Sequence, residues 1–253
     1  MRILAWRAAS LAFVVALILG WREIAAFKLV SPVFLPSPER AFTALWAGLT
    51  RADLSIKLAG TIEHMIAGWL IASAVGVALG ALIGSSATAR AYIAPSLEFL
   101  RPLPASAVIP VAIAMFGLST SMALGVIGFG AVWPMLLATM HGFAAVEPRL
   151  KEVARVLGLN GWQTAIKIAL PSAAPDILAG LRLGLTVALI LAVVCEMIAG
   201  LDGLGQWVLL AARAYRSADL FAGVILLGAI GLLANGLLSL AESRALRWQA
   251  QRR

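Results

Sequence analysis

The polar side chains that could do chemistry are concentrated in one stretch, KEVARVLGLNGWQTAIKIALP at residues 151–171. The chain around it is strongly apolar, because 62% of all residues are hydrophobic and only 13% are charged. The sequence shows no catalytic triad, no paired carboxylates and no spacing typical of zinc ligands. No catalytic centre is therefore evident in the sequence.

A few ionisable residues outside this stretch could also be functional groups. Cys195 is the one cysteine, which excludes an internal disulfide and a cysteine-rich metal site. His64 and His141 are too far apart to suggest a metal cluster, so no metal or other cofactor is expected in this chain. Glu196 follows an apolar run, where a carboxylate is costly, so it shapes a pathway, a gate or a dimer contact, or else lies wet at the membrane interface. Glu63 and His64 are expected at the outer membrane edge.

Residues 147–157 predict a short helix. Glu147 precedes Pro148, and proline is typical of the first helical position. Four apolar residues are expected to share one face of this helix: Leu150, Val153, Ala154 and Leu157. Gly158 is expected to end the helix, because glycine readily adopts the left-handed conformation of a C-terminal cap.

A second short helix is predicted directly after this turn. Asn160 is expected to cap it, and Gln163 three residues later can complete a capping-box-like pair. The dipeptide Leu170-Pro171 is expected to end it before the next apolar segment. Residues 147–171 therefore predict a helix–turn–helix platform, although two amphipathic helices resting on lipid fit the same pattern.

The composition places the chain in a membrane. Its mean hydropathy is +0.96, and this much apolar surface cannot be packed inside one soluble core. Apolar runs of about 20 residues favour helices over a barrel. We therefore predict an all-α membrane protein with about six transmembrane helices, at residues 8–27, 58–85, 103–118, 122–143, 177–199 and 221–241. Arg2 and Arg7 before the first run also fit a signal peptide, which is the alternative for that segment.

Basic residues predict the orientation of these spans. With the N-terminus in the cytoplasm, twelve Lys and Arg residues fall on the inner side and seven on the outer side. The C-terminal sequence RALRWQAQRR adds to this bias. We therefore expect a multi-pass membrane protein with both termini and residues 147–171 in the cytoplasm. The net charge of +8 is then assigned to inner loops that face anionic lipid, not to nucleic-acid binding.

Small residues and prolines suggest how the spans pack. Gly76, Gly80 and Gly84 fall on one face of the second span and would allow close helix approach, although generic packing explains them equally well. Prolines in the third and fourth spans free backbone carbonyls, which favours a position beside a pathway. The candidate pathway or gate residues are Pro110, Met115, Phe116 and Glu196. We divide the chain into an N-terminal span with an outer amphipathic segment at 1–56, a membrane core at 57–242 and a basic tail at 243–253.

The spacing within the polar stretch resembles the EAA loop of ABC importer permeases. In that loop Glu-Ala-Ala is followed by a glycine and then by Ile-x-Leu-Pro. Here the corresponding letters are EVA at 152–154, Gly158, and IALP at 168–171, so Val153 is the only departure. The resemblance implies that the ATPase-coupling residues are Glu152, Ala154, Gly158, Asn160, Ile168, Leu170 and Pro171.

Further motifs along most of the chain resemble permeases of the sulfonate, taurine and nitrate branch of the binding-protein-dependent transport inner-membrane family. They are FLPSP at 34–38, LRPLPASAVIPVAIAMFGL at 100–118, LKEVARVLGLNGWQ at 150–163, GLRLGL at 180–185 and EMIAGLDGLG at 196–205. One departure lies in the second span, where relatives often carry arginine four residues before the glycine of GW. His64 occupies that place here.

The resemblance implies a type I ABC importer permease fold and a translocation subunit that is not an enzyme. Two such permeases form the pathway for a small anionic solute such as a sulfonate, taurine or nitrate. Two separate ATPase subunits carry ATP and Mg, and a periplasmic or lipid-anchored binding protein delivers the solute. The sequence agrees on one point, since it contains no Gly-x4-Gly-Lys-Ser/Thr phosphate loop.

Two other functions compete with this interpretation. A secondary carrier that works without an ATPase would need an internal repeat and a membrane-embedded ionisable pair, and neither is evident in the sequence. An intramembrane enzyme would need catalytic residues that the spans lack. The ABC importer permease is therefore the function that the sequence favours.

Overall fold

The computed structural model describes residues 2–247 of the 253-residue chain, apart from the side chains at positions 2–5, 7, 8 and 11. Residues 248–253 of the predicted basic tail, including Arg252 and Arg253, lie outside the described residues. Within the described part the chain is helical and has no strand. The prediction of an all-α protein is therefore confirmed.

The helices follow one another with short connections. Their bounds are α1 (Arg2–Ala26), α2 (Pro38–Thr50), α3 (Asp53–Ser85), α4 (Ala87–Leu100), α5 (Ala105–Phe116), α6 (Thr120–Ala144), α7 (Pro148–Val156), α8 (Gly161–Thr164), a π-helix (Ala165–Ala169), α9 (Leu170–Ala199), α10 (Leu204–Arg213) and α11 (Ser217–Ala245).

Within the residues that the structure describes, four helical segments are long and apolar enough to cross a membrane: α3, α6, the continuous helix Gly161–Ala199 and α11. They contain the predicted second, fourth, fifth and sixth spans. The predicted first span lies almost wholly within α1, which has 25 residues. Several side chains of α1 are outside the described residues.

The third predicted span, residues 103–118, differs from the structure. Only α5 forms there, and its 12 residues rise about 18 Å, which is less than the roughly 30 Å of hydrocarbon in a bilayer. The helix α4 precedes it, and the two are bent by 86° as a broken span or a re-entrant pair. Pro104 lies at the break, directly before α5, with extended backbone, and a proline there disfavours a helical conformation in the residue before it. Apolar composition alone could not reveal this bend.

The expectation that Pro171 ends the second short helix was wrong. The helix runs without interruption from Gly161 to Ala199, a length of 39 residues. A proline ring normally clashes with the carbonyl four residues earlier, which here is Lys167. The π-helix at Ala165–Ala169 lies across that position, and such wider turns accommodate a proline within a continuous helix.

The chain forms two compact units, and α3 and α11 contribute residues to both. The first unit comprises Met1–Gly60 and Asp202–Ala229. Within it, the indole Nε1 of Trp21 donates to the carbonyl of Pro36 at 2.9 Å, and its ring stacks on Phe221 at a centroid distance of 5.3 Å. Lys57 Nζ pairs with Asp202 and donates to Gln206 Oε1 at 3.0 Å. These contacts bring together segments far apart in the sequence.

The second unit comprises Thr61–Leu201 and Ile230–Arg253. Its helices approach closely at glycines. A β-carbon at Gly80 of α3 would lie 2.6 Å from the carbonyl oxygen of Leu136 in α6, and one at Gly180 of α9 would lie 2.9 Å from that of Pro134 in α6. The face predicted from Gly76, Gly80 and Gly84 is therefore confirmed as a close helix contact.

Candidate functional site

The turn after α7 is fixed by backbone hydrogen bonds. Gly158 has φ +66°, and its N–H donates to the carbonyl of Arg155 at 3.0 Å, while the N–H of Leu159 donates to that of Ala154 at 3.0 Å. This pair of bonds is the Schellman motif, which needs a left-handed residue at the glycine position. The prediction that Gly158 ends the first helix is confirmed.

The start of α8 is fixed by reciprocal capping. Asn160 Oδ1 accepts from the backbone N–H of Gln163 at 2.8 Å, and Gln163 Oε1 accepts from the backbone N–H of Asn160 at 3.1 Å. Two orphan donors at the helix start are thereby satisfied. The predicted capping box is confirmed, so the geometry of the turn between α7 and α8 is determined at both ends.

The two sides of α7 differ in burial. Ala154 is buried with 2% exposure, whereas Val156 is 88% exposed and Val153 and Leu157 are also exposed. Leu150, Val153, Ala154 and Leu157 lie on one side of the helix by their spacing, and of these four only Ala154 is buried. Consecutive residues of a helix lie about 100° apart, and here the side at Ala154, not the side at Val153, is buried. The other side presents apolar residues beside the exposed carboxylate of Glu152.

The remaining residues of the EAA-like pattern lie where α8 continues into the long helix. Ile168 is half-buried within the π-helix, while Leu170 and Pro171 are exposed at the start of α9. The structure thus places the candidate coupling residues along one continuous segment from α7 to the first turn of α9. Their role in coupling stays a prediction.

Glu196 lies in a buried polar cluster. Its side chain is 0% exposed. Its Oε2 accepts a hydrogen bond from Thr61 Oγ1 at 2.9 Å, and its Oε1 lies 3.0 Å from Nδ1 of His64, which is 8% exposed. The alternative of a wet carboxylate at the interface is therefore wrong for Glu196, and His64 is buried with it. Glu63, in contrast, is exposed.

This cluster was only half visible in the sequence. Thr61 and His64 are three residues apart, so they project from one face of α3, and Glu196 lies near the C-terminal end of α9. A buried carboxylate needs hydrogen-bond donors, and polar residues on neighbouring spans at a similar height are the signal that could have identified them. The connection requires the fold, because 132 residues separate His64 from Glu196.

The other pathway candidates lie on α5. Pro110, Met115 and Phe116 are all exposed on this short helix. Their exposed apolar surface is available to a second chain or to a pathway, and the assignment stays a prediction. Among the described residues, no group of three His, Cys, Asp or Glu side chains is arranged to hold a metal ion.

Comparison with known proteins assigns the family. Residues 72–247 match the family of binding-protein-dependent transport system inner membrane components. The chain is 32% identical to the putative aliphatic sulfonates transport permease protein SsuC of Bacillus subtilis (strain 168), over 90% of this chain and 83% of that protein. It is 28% identical to the taurine transport system permease protein TauC of Escherichia coli (strain K12), over 96% and 90% of the two chains. It is 31% identical to the nitrate import permease protein NrtB of Leptolyngbya laminosa, over 77% and 70%.

A solved structure supports the fold. A chain from inward-facing MetNI, a methionine ABC transporter, aligns with a TM-score of 0.64 at 17% identity, covering 76% of this chain and 93% of the other. This likeness confirms the predicted type I permease fold. The chain belongs to the family of binding-protein-dependent transport system inner membrane components and is accordingly a multi-pass membrane permease subunit of an ABC transporter rather than an enzyme.

Proposed function

We propose that two copies of this chain form the translocation pathway of an importer for a small anionic solute of the sulfonate, taurine or nitrate class. A periplasmic or lipid-anchored binding protein delivers the solute on the outer side. Each copy binds one ATPase subunit, which carries ATP and Mg. Both termini and the segment from α7 to α8 lie in the cytoplasm, as the distribution of basic residues favours.

The observation that carries this proposal is the fixed, exposed platform formed by α7 and α8. The Schellman turn at Gly158 and the capping box at Asn160 hold the two helices in one arrangement. The exposed side of α7 presents Val153, Val156 and the carboxylate of Glu152. Exposed apolar residues bordered by charge are typical of a protein-binding surface. This surface is the proposed docking site of the ATPase.

The substrate class rests on the relatives. SsuC, TauC and NrtB are named for aliphatic sulfonates, taurine and nitrate, and these solutes share a small size and an anionic oxygen group. The proposed pathway lies between two copies, beside the exposed residues of α5, with Glu196 near its outer end. The positive charge of the chain does not itself indicate an anionic solute, because most of the Lys and Arg residues lie in the proposed inner loops.

The test is reconstitution of the permease with its ATPase and binding protein in lipid vesicles. We expect uptake of labelled taurine, an alkanesulfonate or nitrate only when ATP and all three components are present. Native mass measurement of the purified complex should give two permease copies and two ATPase subunits. Uptake that persists without the ATPase would establish the secondary carrier instead, and a complex with one permease copy would overturn the dimer.

A further inference from the structure

A cavity of about 360 Å³ lies behind α7, on the side opposite its exposed apolar face. Its apolar wall includes Phe143 of α6, Ala154 of α7 and Ala165 of the π-helix. Lys151 and Arg155 also line it and are exposed. The cavity thus combines an apolar interior with a cationic rim.

The two cations line the same cavity. Lys151 and Arg155 are four residues apart, so they are neighbours on one face of α7. None of the described residues that line the cavity is acidic. Neither cation takes part in any ion pair found among the residues that the structure describes. Their charge is therefore available to an anion.

The geometry of α7 separates this cavity from the proposed ATPase surface. At about 100° per residue, Lys151, Ala154 and Arg155 fall on one side of the helix. Glu152, Val153 and Val156 fall on the opposite side. An ATPase subunit docked on the side of Glu152, Val153 and Val156 would therefore leave the cavity open. The cavity needs an occupant of another kind.

The surrounding elements place the cavity at the edge of the membrane. Ser85 ends α3, Phe143 lies one residue before the end of α6, and Thr164 lies in the first turn of the long helix Gly161–Ala199. The apolar helices α3 and α6 therefore both meet the cavity at an end, where lipid headgroups are expected. With the proposed orientation this is the cytoplasmic leaflet, whose anionic lipids bind basic pockets between transmembrane helices.

We propose that this cavity binds the phosphate headgroup of an anionic phospholipid from the inner leaflet. Lys151 and Arg155 pair with the phosphate, and Phe143, Ala154 and Ala165 contact the apolar part of the lipid below it. A bound lipid then fills the space between α7 and the spans and supports the platform from behind. The inference goes beyond the proposed function and depends on it only for the inner placement.

The test measures lipid binding by the purified full-length permease in detergent, using native mass spectrometry. The probes are phosphatidylglycerol, phosphatidylcholine and inorganic phosphate. The double variant Lys151→Ala with Arg155→Ala is compared with Arg149→Ala with Lys167→Ala, which removes the same charge from exposed residues that do not line the cavity. The exchange Lys151→Arg with Arg155→Lys keeps both charges.

We expect phosphatidylglycerol to bind in preference to phosphatidylcholine. Affinity should fall about fivefold for each charge removed, and about 25-fold in the double alanine variant. The control pair and the charge-keeping exchange should bind like the parent. Equal binding of both lipids, equal loss in the control pair, or tight binding of inorganic phosphate alone would each overturn the lipid site. Because no ATPase is present, a failure here leaves the proposed transport function standing.

Discussion

The Nδ1 atom of His64 lies 3.0 Å from Oε1 of Glu196, and both side chains are buried. Thr61 adds a hydrogen bond to the same carboxylate at 2.9 Å. The contact joins the N-terminal part of α3 to the C-terminal end of α9. An uncompensated carboxylate in such a place would cost several kcal/mol, so the cluster explains how an acid persists in a membrane helix.

Glu196→Gln removes the charge while keeping a side chain of nearly the same shape. We expect assembly to remain intact, and uptake to fall or to become uncoupled from ATP hydrolysis, because an amide keeps only one of the two oxygens that contact Thr61 and His64. Uptake and ATPase stimulation by the binding protein should be measured in vesicles. Glu63→Gln is the matched control, since Glu63 is an exposed neighbour of His64. Normal transport by Glu196→Gln would show that the charge has only a structural role.

His64→Ala leaves the buried carboxylate with one partner fewer. Loss of a partner to a buried polar group typically costs about 1–3 kcal/mol, so we expect a lower unfolding temperature of the detergent-solubilised permease. His141→Ala serves as the control, because His141 is exposed. If both variants unfold at the parent temperature, the contact between His64 and Glu196 does not stabilise the fold.

Gly158→Val tests the turn between α7 and α8. No atom lies within 4 Å of a β-carbon added there, so space does not oppose the change, but φ is +66°. A β-branched residue is strained in that region by about 1–2 kcal/mol. We expect the variant to insert and dimerise normally, and to lose ATPase attachment or substrate-stimulated hydrolysis.

The control for this turn is Gly161→Ala. Gly161 also has open space around it and its φ is not positive, so the substitution should leave co-purification with the ATPase unchanged. A Gly158→Val permease that copurifies and hydrolyses like the parent would show that the segment is not the coupling element.

Glu152→Lys tests the exposed side of α7. The carboxylate is exposed next to Val153 and Val156, so reversing its charge should leave the fold stable and weaken docking of the ATPase. Val156→Asp should have the same effect, because it places a charge at the most exposed apolar residue of that face. The amount of ATPase retained on the immobilised permease is the measurement. Full retention in both variants would exclude this face from the interface.

Gly80→Leu tests the close approach of α3 to α6. A β-carbon at this position would lie 2.6 Å from the carbonyl oxygen of Leu136, so the helices must separate, at a cost of about 1–3 kcal/mol. We expect a lower unfolding temperature or loss of expression. Gly236→Ala, a helical position with no atom within 4 Å of an added β-carbon, should be neutral or slightly stabilising. An unchanged Gly80→Leu protein would contradict the packing.

The sequence was most informative where the structure is determined locally. The left-handed Gly158 and the capping box of Asn160 depend on residues within a few positions of each other, and both were predicted correctly. The same holds for the long apolar helices, because about 20 apolar residues in succession have few alternatives. Motif spacing then added the family, which no local rule could supply.

Features that depend on tertiary contacts were missed. Glu196 and His64 could not be paired from the sequence, because the contact depends on how α3 packs on α9. Which side of α7 is buried is likewise determined by packing against neighbouring helices. The small side chain of Ala154 fits a buried or an exposed position, so its type does not predict the buried side. A proline ends a helix in most contexts, but here the π-helix accommodates Pro171 within a continuous helix. The prolines before α5 indicated an irregular backbone in the third predicted span, but they did not predict the bend of 86° between α4 and α5.

The uninterrupted helix Gly161–Ala199 has a mechanical consequence. Its 39 residues span about 58 Å, and Glu196 lies roughly 50 Å along it from Gly161. A tilt of about 5° about the Gly161 end would shift the carboxylate by about 4 Å, which exceeds the length of a hydrogen bond. No loop intervenes to absorb such a movement. The helix therefore joins the proposed docking platform at its start to the contact with His64 near its end.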